Sequence, residues 1–252
     1  MDKLALITGG TSGIGKEFAN QLAQQGYNII IVGRDNIRGL EICKQLEKNY
    51  GIKCQLMIAD LSKESGLKIV EEKINSLNSL DFLVNAAGFG FKENFLDGNI
   101  DKWQDMIFVH NTVTMRLSYL AGHIMKQNNK GNIINISSLA SFLSVGDPLY
   151  ASTKAFVRYF STNIHYDWKK YGVYVQALCP GFVETNFFVN AGVDKTPQLG
   201  LLTTNQVVKV SLKYVNKKKA ICVPGFISKC LKILIQILPN SLIYKILSKS
   251  FN

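Results

Sequence analysis

Histidine, proline and tryptophan are scarce in this 252-residue chain, at three, five and two copies, and cysteine stands at an odd five. Cys43, Cys54, Cys179, Cys222 and Cys230 are widely scattered and form no Cys-x-x-Cys pair. That excludes a disulfide framework and a thiolate zinc site, and suits a reducing cytoplasm. His110, His123 and His165 lie in helical stretches without metal-ligand spacing, so each is expected on the surface or in packing. No Pro-, Ser- or Gly-rich linker and no break in composition divides the chain, so one domain over 1–252 is expected. A basic, cleavable apolar leader is also missing; a strand-like run, Leu4-Ala-Leu-Ile7, comes almost at once, and no secretion signal is expected. Acidic residues are few against basic ones, 18 to 29, which leaves a net charge of +11. The lysines are dispersed apart from the run Lys217-Lys218-Lys219. No helix-turn-helix, zinc-finger or stacked-aromatic signature accompanies that run, so nucleic acid is not an expected partner. The positive balance fits a phosphorylated cofactor or a membrane surface better.

What the chain does have is an ordered composition, 47% apolar and 10% aromatic, and a regular alternation of two periods. Short apolar runs predict strands at about 3–7, 28–32, 53–58, 81–84, 132–136, 173–178 and 220–223. Longer stretches of helical period fall at 13–25, 36–50, 63–77, 100–127, 150–170 and 205–216. Strand-helix alternation of this kind predicts an α/β fold: a Rossmann-type, doubly wound, parallel seven-stranded sheet with helices on both faces.

Such a sheet binds its ligand beyond the carboxyl ends of its strands, at the point where strand order reverses. Immediately after the first strand comes Thr8-Gly-Gly-Thr-Ser-Gly-Ile-Gly15. There Gly9, Gly13 and Gly15 permit a tight turn, close approach to a pyrophosphate and close packing of the next helix, while Thr11 and Ser12 add hydroxyl donors. The second strand ends in Gly33-Arg34 where a NAD site normally places a carboxylate. Arg34, assisted by Lys16, suits a 2′-phosphate and favours NADP(H), whereas Asp35 keeps NAD(H) open.

Tyr150 and Lys154 share one helix face at i and i+4. That spacing alone says little, since about one such pair is expected by chance at ordinary residue frequencies, and Tyr166/Lys170 and Tyr214/Lys218 repeat it. Only Tyr150 is preceded, at loop distance, by a strand ending in small hydroxyl residues, Ser137 and Ser138.

In this order the motifs resemble the short-chain dehydrogenase/reductase family over nearly the whole chain. The resemblance rests on the Thr8 to Gly15 turn, Asp60 after strand three, Asn85-Ala-Ala-Gly88 after strand four and Asn111 in the central helix. It continues through Ile136-Ser-Ser138, Tyr150-Ala-Ser-Thr-Lys154 and Pro180-Gly-Phe-Val-Glu-Thr185. It implies that Asp60 and Leu61 meet the adenine and that Asn85, Ala86 and Gly88 support the cofactor cleft. Ile14, Pro180, Gly181 and Val183 line it, and Thr185 touches the nicotinamide carboxamide. Tyr150 is then the proton donor to a carbonyl. Lys154 favours the tyrosinate, moving the phenol toward working pH, and holds the nicotinamide ribose. Ser138 bonds the substrate oxygen, and Asn111 holds a water that returns protons through Lys154. The family usually places twelve residues between serine and tyrosine, a spacing that Ser137 meets and Ser138 misses by one. Strand registry favours Ser138 and leaves Ser137 as the alternative.

The apolar stretch around Phe182, Phe187, Phe188 and Val189, within 182–204, is expected to be a substrate lid. Beyond Pro224-Gly225, the segment Phe226 to Leu238 is apolar almost all round except Lys229, Lys232 and Gln236, and opens a basic extension over 226–252. A weaker resemblance covers bacterial oxidoreductases that end in Pro-Gly, an apolar helix and a further Leu-Pro. The helix is expected to pack over the active site or in a homodimer or homotetramer, with peripheral membrane contact through 226–247 as the alternative. The function expected is NADP-dependent hydride transfer to or from a moderately apolar ketone or secondary alcohol. A catalytically silent NAD(P)-binding sensor or scaffold is the competing class.

Overall fold

The computed structural model describes residues 3–144, 147–192 and 200–250. Seven parallel strands, β1 (Leu4–Thr8), β2 (Asn28–Gly33), β3 (Cys54–Ile58), β4 (Phe82–Asn85), β5 (Gly131–Ile136), β6 (Val173–Leu178) and β7 (Ile221–Cys222), lie in the order β3-β2-β1-β4-β5-β6-β7. The central strands are buried on both faces, as in Ile29 to Val32, which is why β2 reads as an unbroken apolar run and not as alternation, while the edge strand β3 leaves Gln55 and Ile58 exposed. Order reverses between β1 and β4, whose registers pair Ala5 with Phe82 and Thr8 with Asn85. That junction opens the crevice in which the functional residues collect.

Helices cover both faces. α1 (Gly13–Gln24), α2 (Asn36–Tyr50) and α8 (Thr204–Asn216) close one core, built on Phe18, Leu22, Ile42, Leu46, Val207 and Leu212. α3 (Glu64–Asn75) and α5 (Thr114–Gln127) close the other, around Leu67, Val70, Ile74, Leu117, Ala121 and Met125. On the outside Arg116 of α5 binds Glu64 and Glu71 of α3, at 2.6 Å to each.

One difference from the sequence expectation lies in the central helix, which does not run unbroken from 100 to 127. α4 (Ile100–Ile107) passes into a π-helical turn, Phe108–Val113, before α5 resumes. Apolar periodicity is blind to one extra residue in a turn, and such bulges are common at functional sites. α6 (Pro148–Trp168) begins with Asp147 accepting hydrogen bonds from Leu149 and Tyr150 N–H, and with Pro148 in its first turn. A short helix, α7 (Phe187–Asn190), lies in the expected lid, where residues 193–199 and the Phe188 side chain fall outside the described residues. α9 (Phe226–Ile237) and α10 (Asn240–Ser250) end the fold, and no described helix is long and apolar enough to cross a membrane.

Candidate active site

The turn after β1 fits a dinucleotide pyrophosphate. Gly9 and Gly13 sit at φ +64° and +51°, where L side chains are strained, and a Cβ on Gly15 would collide with the Gly9 carbonyl oxygen. Ser12 is the α1 N-cap but makes no side-chain capping bond, and the helix has no acidic side chain in its first turn. Backbone N–H groups therefore face the turn without a protein anion to compete. A Cβ on Gly13 would stand 3.3 Å from Thr185 Cγ2, so Thr185 roofs the turn from across the crevice. Its Oγ1 accepts from Phe187 N–H at 3.3 Å, which makes it a local turn residue as well. Thr8 fastens the crevice floor: its Oγ1 accepts from Ala86 N–H at 3.0 Å and Ala87 N–H at 3.1 Å.

At the adenosine end, Thr11 lies over Gly33, where any Cβ would meet its methyl at 2.7 Å, and Arg34 and Asp35 follow, both exposed. Asp35 caps α2, accepting from Arg38 N–H at 3.0 Å, and its other oxygen stands 3.9 Å from Arg38 Nε. Burial pushes the Asp60 carboxyl up, but two hydrogen bonds from Ser62, with Arg34 and Lys63 nearby, hold it below the usual carboxylate range. Leu61, next to Asp60, is buried and belongs to the core on the α3 and α5 face of the sheet.

Below the crevice lies a polar network that no sequence motif announced. Asn85 Nδ2 donates to Asn135 Oδ1 at 2.8 Å and to Ser118 Oγ at 3.2 Å, and Asn135 Nδ2 donates to Ser161 Oγ at 2.9 Å. It ties β4, β5, α5 and α6 together beneath Ala86 to Gly88.

The two serines that follow β5 make different contacts. Ser137 is 2% exposed and donates to the Lys154 carbonyl at 2.7 Å, so its hydroxyl is committed to holding α6. Ser138 caps the 3-10 turn Leu139–Phe142, accepting from Ala140 N–H at 3.1 Å, and its hydroxyl favours the Tyr150 phenolate against the effect of burial. Lys154 Nζ donates to the Ile136 carbonyl at 3.1 Å and stands 5.7 Å from the Tyr150 ring centre.

Electrostatically the pair differs from the sequence expectation. Burial pushes the Tyr150 phenol up to about 12; the Ser138 hydroxyl opposes this and Asp147 adds to it. Burial also pulls the Lys154 ammonium down to about 7. Burial thus disfavours the charged form of both members of the pair.

His110 is the histidine that its sequence context undervalued. It is buried in the π-helical turn, where Nε2 accepts from Phe89 N–H at 3.2 Å and Nδ1 lies 2.9 Å from Thr153 Oγ1. Thr153 Oγ1 itself donates to the Tyr150 carbonyl at 2.9 Å, so it must accept from His110 Nδ1–H, and the ring is held neutral in one tautomer. Burial and the Lys154 charge push the imidazolium far below its ordinary range. Next to it, Asn111 Oδ1 is buried and without a hydrogen-bond partner among the described residues, as is Asn85 Oδ1. Orphaned acceptors at this depth suit a water or a bound ligand group, and together with the glycine cradle they fit a nicotinamide dinucleotide.

The mouth is aromatic. Phe187 stands 5.7 Å from the Tyr150 ring, and Phe89, Phe91 and Trp103 follow in edge contacts at 5.3 and 5.2 Å. A parallel bridge joins Val183 and Leu202, and Pro180 accepts from Leu139 N–H at 2.7 Å. Gly181 abuts Ser228 of α9.

Known proteins repeat this arrangement. The chain is 33% identical over 186 residues, 73% of its length and 75% of the relative's, to a 3-oxoacyl-[acyl-carrier-protein] reductase of Aquifex aeolicus. It is 30% identical over 218 residues, 84% of its length and 68% of the relative's, to a very-long-chain 3-oxoacyl-CoA reductase of Rattus norvegicus. A short-chain dehydrogenase of Sphingobium yanoikuyae, solved with NADPH, superposes with a TM-score of 0.85 at 25% identity, over 94% of this chain and 96% of that one. The sequence profile of the short chain dehydrogenases matches residues 3–196, from the first strand through the glycine turn and the tyrosine helix into the lid, and the chain is an oxidoreductase belonging to that family.

Proposed function

We propose that the protein is an NADP(H)-dependent reductase or dehydrogenase of a lipophilic ketone or secondary alcohol, with Tyr150, Lys154, Ser138 and Asn111 as its chemical residues. The carrying observation is that Tyr150 and Lys154, 5.7 Å apart from ring centre to ammonium, meet the glycine-lined crevice, where a Cβ on Gly88 would stand 3.5 Å from Lys154 Nζ and Asn111 Oδ1 lies buried without a partner among the described residues. When bound, the cofactor supplies or removes the hydride. Ser138 Oγ orients the carbonyl oxygen, and Tyr150 gives that oxygen a proton during reduction and takes one during oxidation. Lys154 holds the ribose hydroxyls and, titrating near neutrality, replaces the phenol proton; a water on Asn111 connects it to solvent.

Preference for the 2′-phosphorylated cofactor is supported by Arg34 at the end of β2 and by Asp35 being engaged as the α2 cap. The NADPH held by the Sphingobium structure supports it too. Gly9, Thr11, Ser12, Gly13, Ile14 and Gly15 would hold the pyrophosphate, with Asp60, Asn85, Ala86, Gly88, Pro180, Gly181, Val183 and Thr185 around the remainder. The aromatic mouth and the 3-oxoacyl relatives support an acyl or aromatic carbonyl as substrate. Residues 182–204 would act as its lid. Self-association into a homodimer or homotetramer belongs to this reading, supported by exposed Met115 and Tyr119 on α5 and Phe156 and Tyr159 on α6.

The test is turnover of NADPH against 3-oxoacyl thioesters, steroid-like ketones and aryl ketones. Tyr150→Phe is expected to lower kcat about 10³-fold, within the range for a lost general acid, while cofactor still binds. If no substrate turns over, or if Tyr150→Phe leaves the rate intact, the proposal is wrong.

A further inference from the structure

α9 turns its polar side toward the protein. Ser228 is 3% exposed against Gly181, and Lys232 Nζ lies 5.2 Å from the Phe142 ring centre. Lys229, on the flank, reaches 5.8 Å from the Tyr214 ring of α8. Helical spacing places Phe226, Cys230, Ile233 and Ile237 on the opposite side, and Phe226, Ile233 and Ile237 are 81%, 57% and 73% exposed. Leu234, and Leu242, Tyr244 and Ile246 on α10, extend the apolar surface. A surface helix ordinarily does the reverse, and an exposed apolar surface of this extent marks an interaction.

The charge of the chain points to the same end. Ten of its 29 basic residues, and none of its 18 acidic ones, come after residue 194. The apparently dispersed lysines are therefore lopsided: residues 195–252 carry +10, and everything before them +1. A second copy docked on this face would bring two such charges together, and nucleic acid would leave the apolar stripe uncovered. An anionic bilayer satisfies both properties, accepting the stripe among its acyl chains and attracting the basic C-terminal part of the chain, with Lys229 exposed on the flank of the stripe to meet its headgroups.

We propose that α9 and α10 form a peripheral anchor that lies in the surface of an anionic lipid bilayer, with Phe226, Ile233 and Ile237 inserted. The 12 residues of α9 span about 18 Å, well short of the roughly 30 Å hydrocarbon core, so the helix lies in the interface and does not cross it. Because Ser228 abuts Gly181 and Lys232 the 139–142 turn, the anchor sits beside the crevice mouth. A lipophilic substrate would then enter from the bilayer side. The surface itself is independent of the catalytic reading.

The experiment is cosedimentation of the full chain with vesicles of phosphatidylglycerol and phosphatidylcholine, against vesicles of phosphatidylcholine alone, over a salt series. Binding is expected to the anionic vesicles, weakening as salt rises. The double variant Ile233→Glu/Ile237→Glu is expected to lose at least about tenfold in partitioning, since charged residues replace inserted ones. Lys229→Gln, on the exposed flank of α9, is expected to lose about fivefold. Both should keep the wild-type thermal melt, and Phe226→Ser gives the same readout should the double variant fail to fold. Wild-type protein that stays in the supernatant with both vesicle types overturns the proposal, as does a glutamate variant that sediments as well as wild type. A glutamate variant that changes molecular mass in sedimentation velocity, where wild type binds no vesicles, assigns the face to a second copy and overturns it equally.

Discussion

Ser137 and Ser138 are neighbours with opposite consequences. Ser138→Ala removes a donor at the phenol and is expected to lower kcat about 10²-fold, as for one lost oxyanion-type donor, with an unchanged melt. Ser137→Ala removes the bond to the Lys154 carbonyl, which is worth about 1 kcal/mol, and is expected to lower Tm by about 2–4 °C with kcat near wild type. The reverse pattern would exchange their roles. Spacing in the sequence suited Ser137 and strand registry favoured Ser138; their different bonds, to the Lys154 carbonyl and to Ala140 N–H, come from segments that registry alone does not place. Lys154 makes a second residue-scale prediction. Its folded pKa near 7 lies below the ordinary 10.5, so from about pH 7 to 10.5 the unfolded chain holds more protons and stability rises with pH. Lys154→Met is expected to flatten that rise and to raise Tm at pH 7 while abolishing turnover, read by thermal melts at several pH values. His110 has a depressed folded pKa as well, so its contribution is present above about pH 6.5 and is lost as pH falls below it. Its role escaped sequence analysis because the partners, Phe89 N–H and Thr153 Oγ1, come from two other segments.

The elements were legible in proportion to their period. All seven strands and the six long helical stretches fell where apolar spacing put them, because the strands of a covered parallel sheet are mostly apolar and the few polar residues inside them, such as Asn135 and Gln176, are paired by hydrogen bonds. The π-helical turn at Phe108–Val113 did not, since its amino acids are compatible with an ordinary helix; in the fold it carries His110, which bonds Phe89 and Thr153. α9 was visible as an apolar helix, yet which side it turned inward depended on Gly181 and Phe142, far away in sequence. The glycine turn was read correctly as a turn, and its steric reason adds a prediction. Gly13→Ala places a methyl at φ +51° near Thr185, a strain of about 1–2 kcal/mol. It is expected to weaken NADPH binding at least about tenfold, as a cost of 1.4 kcal/mol or more does, in a fluorescence titration. Undiminished binding would show that the cofactor does not approach this backbone.

At the scale of the molecule, exposed Met115, Tyr119, Phe156 and Tyr159 lie on two helices that pack together. Sedimentation velocity is expected to give a multiple of the 28.1 kDa chain mass, and Tyr119→Glu/Tyr159→Glu to return it to one chain. A wild-type monomer would remove the oligomer from the functional reading. Strand order carries one more consequence, for the chain as it is made. β1 takes β2 on one side and β4 on the other, so its second edge is satisfied by residues that leave the ribosome about 4–15 s later at ordinary synthesis rates. Until then a nascent three-stranded sheet must wait with its future centre bare, and this interval is when a cell's chaperones have most to guard.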